Sequence, residues 1–172
     1  MSATPSARNP ADLVIERQID DVLPELVWAA WTEPEHVARW FAPRPYSTTE
    51  CEIDLRPGGV FRTVMRSPGG DRSEVVGCYL DVRPHHALTW TTALAPGFRP
   101  RPAGDPDSVG PPRFTATISL APGGRGTRYE AVVMHATEAG AAAHRELGFD
   151  GGWNTALDQL IAVARELRAA GA

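Results

Sequence analysis

From residue 13 to residue 19 the side chains alternate, with Leu13, Ile15, Arg17 and Ile19 on one side and Val14, Glu16 and Gln18 on the other. That period of two predicts a first strand. The period then lengthens: Leu23, Leu26, Val27, Ala30 and Trp31 recur three and four residues apart, so 22–32 reads as a short amphipathic helix capped by Asp20 or Asp21. Pro34 breaks it and starts a second short helix over 35–41, which ends before Pro43 and Pro45. Alternation resumes with Cys51, Ile53 and Leu55 set against Glu50, Glu52 and Asp54. Further strands follow at 60–66, 74–82, 87–94, 114–120 and 127–135, divided by turns rich in glycine, proline and aspartate. After His135 the pattern is helical again. Thr137 or Glu138 opens an alanine-rich segment to about residue 147. A longer run then follows Phe149-Asp150-Gly151-Gly152 and reaches residue 170, where Trp153, Leu157, Leu160, Ile161, Ala164 and Leu167 form one stripe.

This order is strand, two short helices, six more strands and a long terminal helix, about seven strands in all. It buries its apolar faces best as an α+β arrangement, with a curved antiparallel sheet wrapped around the last helix. Residues 1–11 read as a flexible tail and 12–170 as a single domain, interrupted by a Pro/Gly-rich loop at 95–112 with six prolines and three glycines. A loop of that length is either a lid over a cavity mouth, for which Phe98 is the one bulky ring, or an insertion without a role.

Composition narrows the function classes. A chain of 172 residues that is 42% hydrophobic has room for one core with an internal cavity. All 17 basic residues are arginines, balanced by 21 acidic ones. There is thus no basic tract for nucleic acid, and no lysine for Schiff-base or P-loop chemistry. Cys51 and Cys78 have no CxxC spacing and read as buried thiols in a reducing compartment. No signal-peptide core or membrane span is visible, so a cytoplasmic location is expected. No GxSxG, HExxH, GxGxxG or P-loop pattern occurs, and no cofactor or metal is expected. His135 and His144 lie nine residues apart without a well-spaced third ligand.

Four segments carry a family resemblance: VWAAWTEPEHVARWFAP (27–43), DLRPGGVFR (54–62), GCYLDVRPHHALTWT (77–91) and GFDGGWNTALDQL (148–160). In that order they resemble the helix-grip SRPBCC superfamily, which includes birch-pollen-allergen-like proteins, START-type lipid-transfer domains and polyketide cyclases. They are most similar to its bacterial branch related to the C-terminal domain of the activator of the ninety-kilodalton heat-shock protein's ATPase. The resemblance implies an internal cavity between sheet and long helix that takes an apolar or amphipathic small molecule: a lipid, an aromatic or a polyketide-like compound. A cyclase- or hydrolase-like enzyme is the alternative, and a chaperone-interaction module a second. Chaperone binding is the weakest expectation, because the eukaryotic activators carry an additional N-terminal domain for which 172 residues leave no room.

Individual residues can be set beside that implication. Trp28 and Trp31 are expected in the core, and Trp40 and Phe41 at a cavity mouth. Trp153, beside Gly151 and Gly152, either lines the cavity or packs helix on sheet. Strand parity sends Phe61, Met65, Tyr79, Trp90, Tyr129 and His135 inward, with Leu157 facing them from the long helix. His135 is the one candidate acid/base, assisted by Tyr79 or Tyr129 if a proton is moved. His85 and His86 are expected in solvent. The exposed edges of an antiparallel sheet also make a homodimer compatible with the pattern.

Overall fold

The protein is described by a computed structural model that covers residues 8–102 and 110–171. Strand β1 (Asp12–Ile19) is followed by helices α1 (Pro24–Thr32) and α2 (Pro34–Trp40). Strands β2 (Ser47–Ile53), β3 (Val60–Arg66), β4 (Arg72–Arg83) and β5 (Ala87–Thr91) come next, then the short β6 (Leu94–Ala95) and β7 (Arg99–Pro100). The chain ends with β8 (Phe114–Gly123), β9 (Gly126–His135), α3 (Glu138–Glu146) and α4 (Phe149–Ala169). Seven strands form one curved antiparallel sheet in the order β1-β9-β8-β5-β4-β3-β2. Its concave face holds α4, and α1 and α2 lie against that helix.

Several boundaries differ from those read in the sequence, each for a local reason. α1 begins at Pro24 with Leu23 as its cap, and neither Asp20 nor Asp21 caps it. The fixed φ of proline at the first helical position decides the start, while Asp21 takes a left-handed conformation in the turn before it. α4 begins at Phe149 and runs through Gly151 and Gly152, because packing of its first turn outweighs the poor helix propensity of glycine. Strand β5 stops at Thr91. Leu94 and Ala95 turn away to pair with Arg99 and Pro100, so the 95–112 segment starts as a miniature hairpin. Phe98 at its tip lies over Gly58, where a Cβ would come within 2.9 Å of the ring, and Gly97 N–H donates to the Gly58 carbonyl at 2.7 Å. The hairpin is thus anchored on the turn before β3. The rest of the expected lid, 103–109, lies outside the described residues.

The tail also ends earlier than expected. Ala11 is buried: its N–H donates to Asn9 Oδ1 at 2.9 Å, and its carbonyl accepts from the backbone N–H of His135 at 3.0 Å. Residues 1–7, the remainder of that tail, lie outside the described residues. Among the described residues no helix is long and apolar enough to cross a membrane.

A single apolar cluster joins the sheet to α1, α2, α3 and α4. At one end Leu160 and Ala164 of α4 are fully buried with Val22, Val27 and Ile19. Thr127 Oγ1 donates to the Val22 carbonyl at 2.7 Å there and ties the β1–α1 turn to β9. The parity read from the sequence holds on β4 as far as Tyr79; the register shift between Tyr79 and Asp81 then changes it, and Val82, opposite buried Leu88, packs on the core beyond the shift.

Candidate functional site

α4 stands off the sheet at its N-terminal end, because the residues it presents there are small. Gly148, Gly152 and Ala156, spaced four apart, share one face. A Cβ on Gly152 would sit 3.8 Å from Pro43, so even one methyl would begin to fill the gap. The gap is a cavity of about 270 Å³. Trp31, Trp40, Trp90, Phe114 and Phe149 contribute buried rings to its wall, joined by Tyr129, His144 and Leu157. Half-buried Phe41, Pro43, Met65, Val75 and Trp153 continue the wall outward to exposed Pro111, Leu147 and Gly148 at the rim.

The rings are held by specific contacts. Trp40 Nε1 donates to the Ala30 carbonyl at 2.8 Å and stacks edge-on against Trp31, with centroids 4.6 Å apart. Trp90 lies over Gly77 of β4, where a Cβ would approach its Cε3 to 3.1 Å; the bare backbone leaves room for the indole. Gln159 of α4 clamps the chain that carries the mouth residues. Its Nε2 donates to the carbonyls of Trp40 and Ala42 at 2.8 Å each, and its Oε1 accepts the Arg44 N–H at 3.0 Å. A buried amide that satisfies three backbone groups fixes the approach of α2 to α4.

Of the residues singled out in the sequence, Trp40, Phe41, Met65, Trp90, Tyr129, Trp153 and Leu157 come together on the cavity wall. Phe61, Tyr79 and His135 are set behind it. Phe61 is wedged between Tyr79 and Trp90, with ring centroids 5.7 and 4.8 Å away. Burial raises the Tyr79 phenol well above its ordinary range, the nearby Cys51 thiol adding to the effect. Tyr129 is raised too, again by burial, which outweighs the opposing influence of Trp31 and Arg17. Neither phenol is an acid at neutral pH. The Cys51 thiol is pushed up to about 11 by burial, which keeps it protonated and a poor nucleophile. Trp28 lies away from the cavity, edge-on to exposed His85.

His135, the sequence's acid/base candidate, has both ring nitrogens engaged. Nδ1 lies 3.1 Å from the Ala11 carbonyl and Nε2 lies 2.9 Å from Nδ1 of His144. The second ring is the one on the wall. His144 sits on the inner face of α3, a helix whose start is fixed by Thr137 accepting the Gly140 N–H at 3.0 Å, and it is 6% exposed. Burial, and then the neighbouring His135, lower its pKa to about 4, so it is a neutral imidazole at physiological pH. Among the described residues no third ligand-type side chain joins the two rings. Glu33, Glu35 and His36 bring ligand-type atoms together at the start of α2, where the Glu33–His36 pair at 3.0 Å accounts for the grouping.

Sequence reasoning missed Gln159, Phe114, Phe149 and the wall position of His144. A signal existed for the last: Ala141 and His144, three residues apart, form the buried stripe of α3. Gln159 gave none, since a polar residue on a helix reads as solvent-facing until the chain it binds is in place.

A family model described as Activator of Hsp90 ATPase homolog 1-like protein matches residues 21–165. No curated protein matches the chain. Among solved structures, the crystal structure of a Nitrosomonas europaea protein is 40% identical, over 94% of this chain and 99% of its own, with a TM-score of 0.85. A Rhodobacter sphaeroides protein aligns at 23% identity over 94% of this chain and 97% of its own, with a TM-score of 0.76. The solution structure of the AHSA1-like protein from Aeromonas hydrophila aligns at 23% identity over 93% and 94%, with a TM-score of 0.66. The last two likenesses carry the fold alone. The sheet order, the long helix in its concave face and the match over residues 21–165 establish that the chain belongs to the Activator of Hsp90 ATPase homolog 1-like family, within the SRPBCC helix-grip superfamily.

Proposed function

We propose that this protein binds an apolar or amphipathic small molecule in the cavity between the N-terminal half of α4 and the sheet. The observation that carries the reading is the wall itself: four of the five tryptophans and three phenylalanines surround about 270 Å³ of space that α4 leaves open by presenting glycine and alanine. A dry apolar cavity of ~150 Å³ accepts one benzene, so this one suits a ligand of about ten non-hydrogen atoms, the size of a fused bicyclic aromatic or a short branched chain. Family membership supports a ligand-binding or chaperone-related domain in general. The cavity favours the first. Full engagement of both nitrogens of His135 favours binding over a cyclase- or hydrolase-like reaction.

Native mass spectrometry of the protein purified gently from its own host tests the proposal. A stoichiometric noncovalent adduct is expected, lost on denaturation and absent from an Ala156→Trp variant whose indole would occupy the cavity. A protein that carries no adduct, and that a panel of bicyclic aromatics and short lipids fails to stabilise thermally, contradicts it.

A further inference from the structure

The two histidines on and behind the cavity wall define more than its shape. A carbonyl oxygen only accepts, so the contact between the Ala11 carbonyl and His135 Nδ1 places a proton on that nitrogen. In the neutral ring Nε2 then carries the lone pair. The partner 2.9 Å away, His144 Nδ1, must donate to it. With Nδ1 of His144 protonated, its Nε2 carries the remaining lone pair, and among the described residues that atom has no hydrogen-bond partner. The ring is nine-tenths buried, belongs to the cavity wall and packs against Phe114 and edge-on to Phe149, with centroids 5.2 and 5.1 Å away. One backbone oxygen, fixed in turn by the Asn9 turn and by β9, thereby sets the polarity of a two-ring chain that ends at the cavity.

We infer that His144 Nε2 is a hydrogen-bond acceptor for the ligand, and that the cavity selects neutral aromatic molecules bearing a hydroxyl group, a phenol or naphthol, over isosteres that lack a donor. The inference rests on the binding proposal above and deepens it. A ligand with only a carbonyl or carboxylate would meet lone pair with lone pair at this edge. A purely apolar ligand would leave the imidazole nitrogen unsatisfied.

Three probes of one shape separate the cases: 2-naphthol with a donor, 2-naphthaldehyde with only an acceptor, and 2-methylnaphthalene with neither. Affinities are measured at pH 8, where ordinary imidazoles are neutral. The ratio of naphthol to methylnaphthalene affinity is expected to fall about tenfold in His144→Phe relative to the unmodified chain, with the aldehyde affinity not reduced. Long-range proton–nitrogen NMR of the unmodified chain provides the second readout and needs no variant: both histidines should show the Nδ1–H tautomer. An Nε2–H tautomer at His144, or a ratio unchanged by the substitution, overturns the inference while leaving cavity binding intact. Failure of all three probes to bind the unmodified chain removes the binding proposal and this inference together.

Discussion

The two halves of α4 have the same length of chain, the same sheet beneath them and opposite consequences. Toward the C-terminus Leu160 and Ala164 are wholly buried, and Val163 and Ile161 are 4% and 7% exposed. That half is tied down by the Arg39–Glu166 ion pair and by Arg168 donating to the Asp21 carbonyl. Toward the N-terminus Gly152 and Trp153 are half-buried. Its polar connections run from Arg17 to Asp158 and Asn154 at 2.7 and 3.0 Å, and from Arg145 to Asp150 at 3.5 Å. One half has side chains large enough to meet the sheet and becomes core. The other has a glycine-rich face, and the space its side chains would have filled becomes a site. A single helix can thus serve as wedge and as lid, according to side-chain volume along its inner stripe.

Truncating leucines one turn apart probes this contrast with the largest expected effect. Leu160→Ala should cost about 4 kcal/mol in denaturant unfolding, because it opens a new void in close-packed core. Leu157→Ala, on the wall of a cavity that already exists, should cost about half as much, and equal losses would erase the distinction. Next in size is a pH effect at the open half alone. The depressed pKa of His144 means its contribution to stability is complete above about pH 6.5 and is lost as the pH falls toward 4, because the unfolded chain takes up a proton that the native ring refuses. Up to roughly 3 kcal/mol should disappear over that window, at 1.36 kcal/mol per pKa unit. In His144→Phe that component should be missing, as unfolding curves at several pH values would reveal. Gln159→Leu, at the junction of the halves, should cost about 2 kcal/mol by stranding the Trp40 and Ala42 carbonyls and the Arg44 N–H. It should also weaken probe binding, since Trp40, Phe41 and Pro43 lose their clamp. The smallest expected change is Ala156→Leu: stability within about 1 kcal/mol of the unmodified chain, because the added methyls enter existing space. Dye binding to the cavity should nonetheless be lost.

The closed half was legible in the sequence and the open half only partly so. Period-two alternation placed Phe61, Tyr79, Trp90 and Tyr129 on the inner face, because a strand offers each side chain one of two faces and the apolar set must choose the helix side. The same rule could not tell wall from packing. Phe61 and Tyr79 share their face with Trp90, yet Phe61 is wedged between the other two rings and neither Phe61 nor Tyr79 reaches the open space. That distinction depends on Gly77 across the sheet and on how far α4 stands away. His135 showed the limit in another form. Its inward direction follows from parity, but its partners are a backbone carbonyl 124 residues away in the chain and a ring on α3, and no local pattern encodes either. The helix cap at Leu23 and the early start of α4 were missed because proline geometry and tertiary packing outweigh the cap and glycine propensities on which sequence rules rely.

The central claim, that the open half of α4 covers a binding site, is tested most directly by the indole N–H signals of the five tryptophans in proton–nitrogen spectra during titration with toluene. Trp31, Trp40, Trp90 and Trp153 line the cavity, while Trp28, outside its wall and edge-on to His85, provides an internal reference. Saturable shifts in those four signals with Trp28 unmoved are the predicted result. Five unmoved signals, or shifts shared equally by Trp28, would contradict the account.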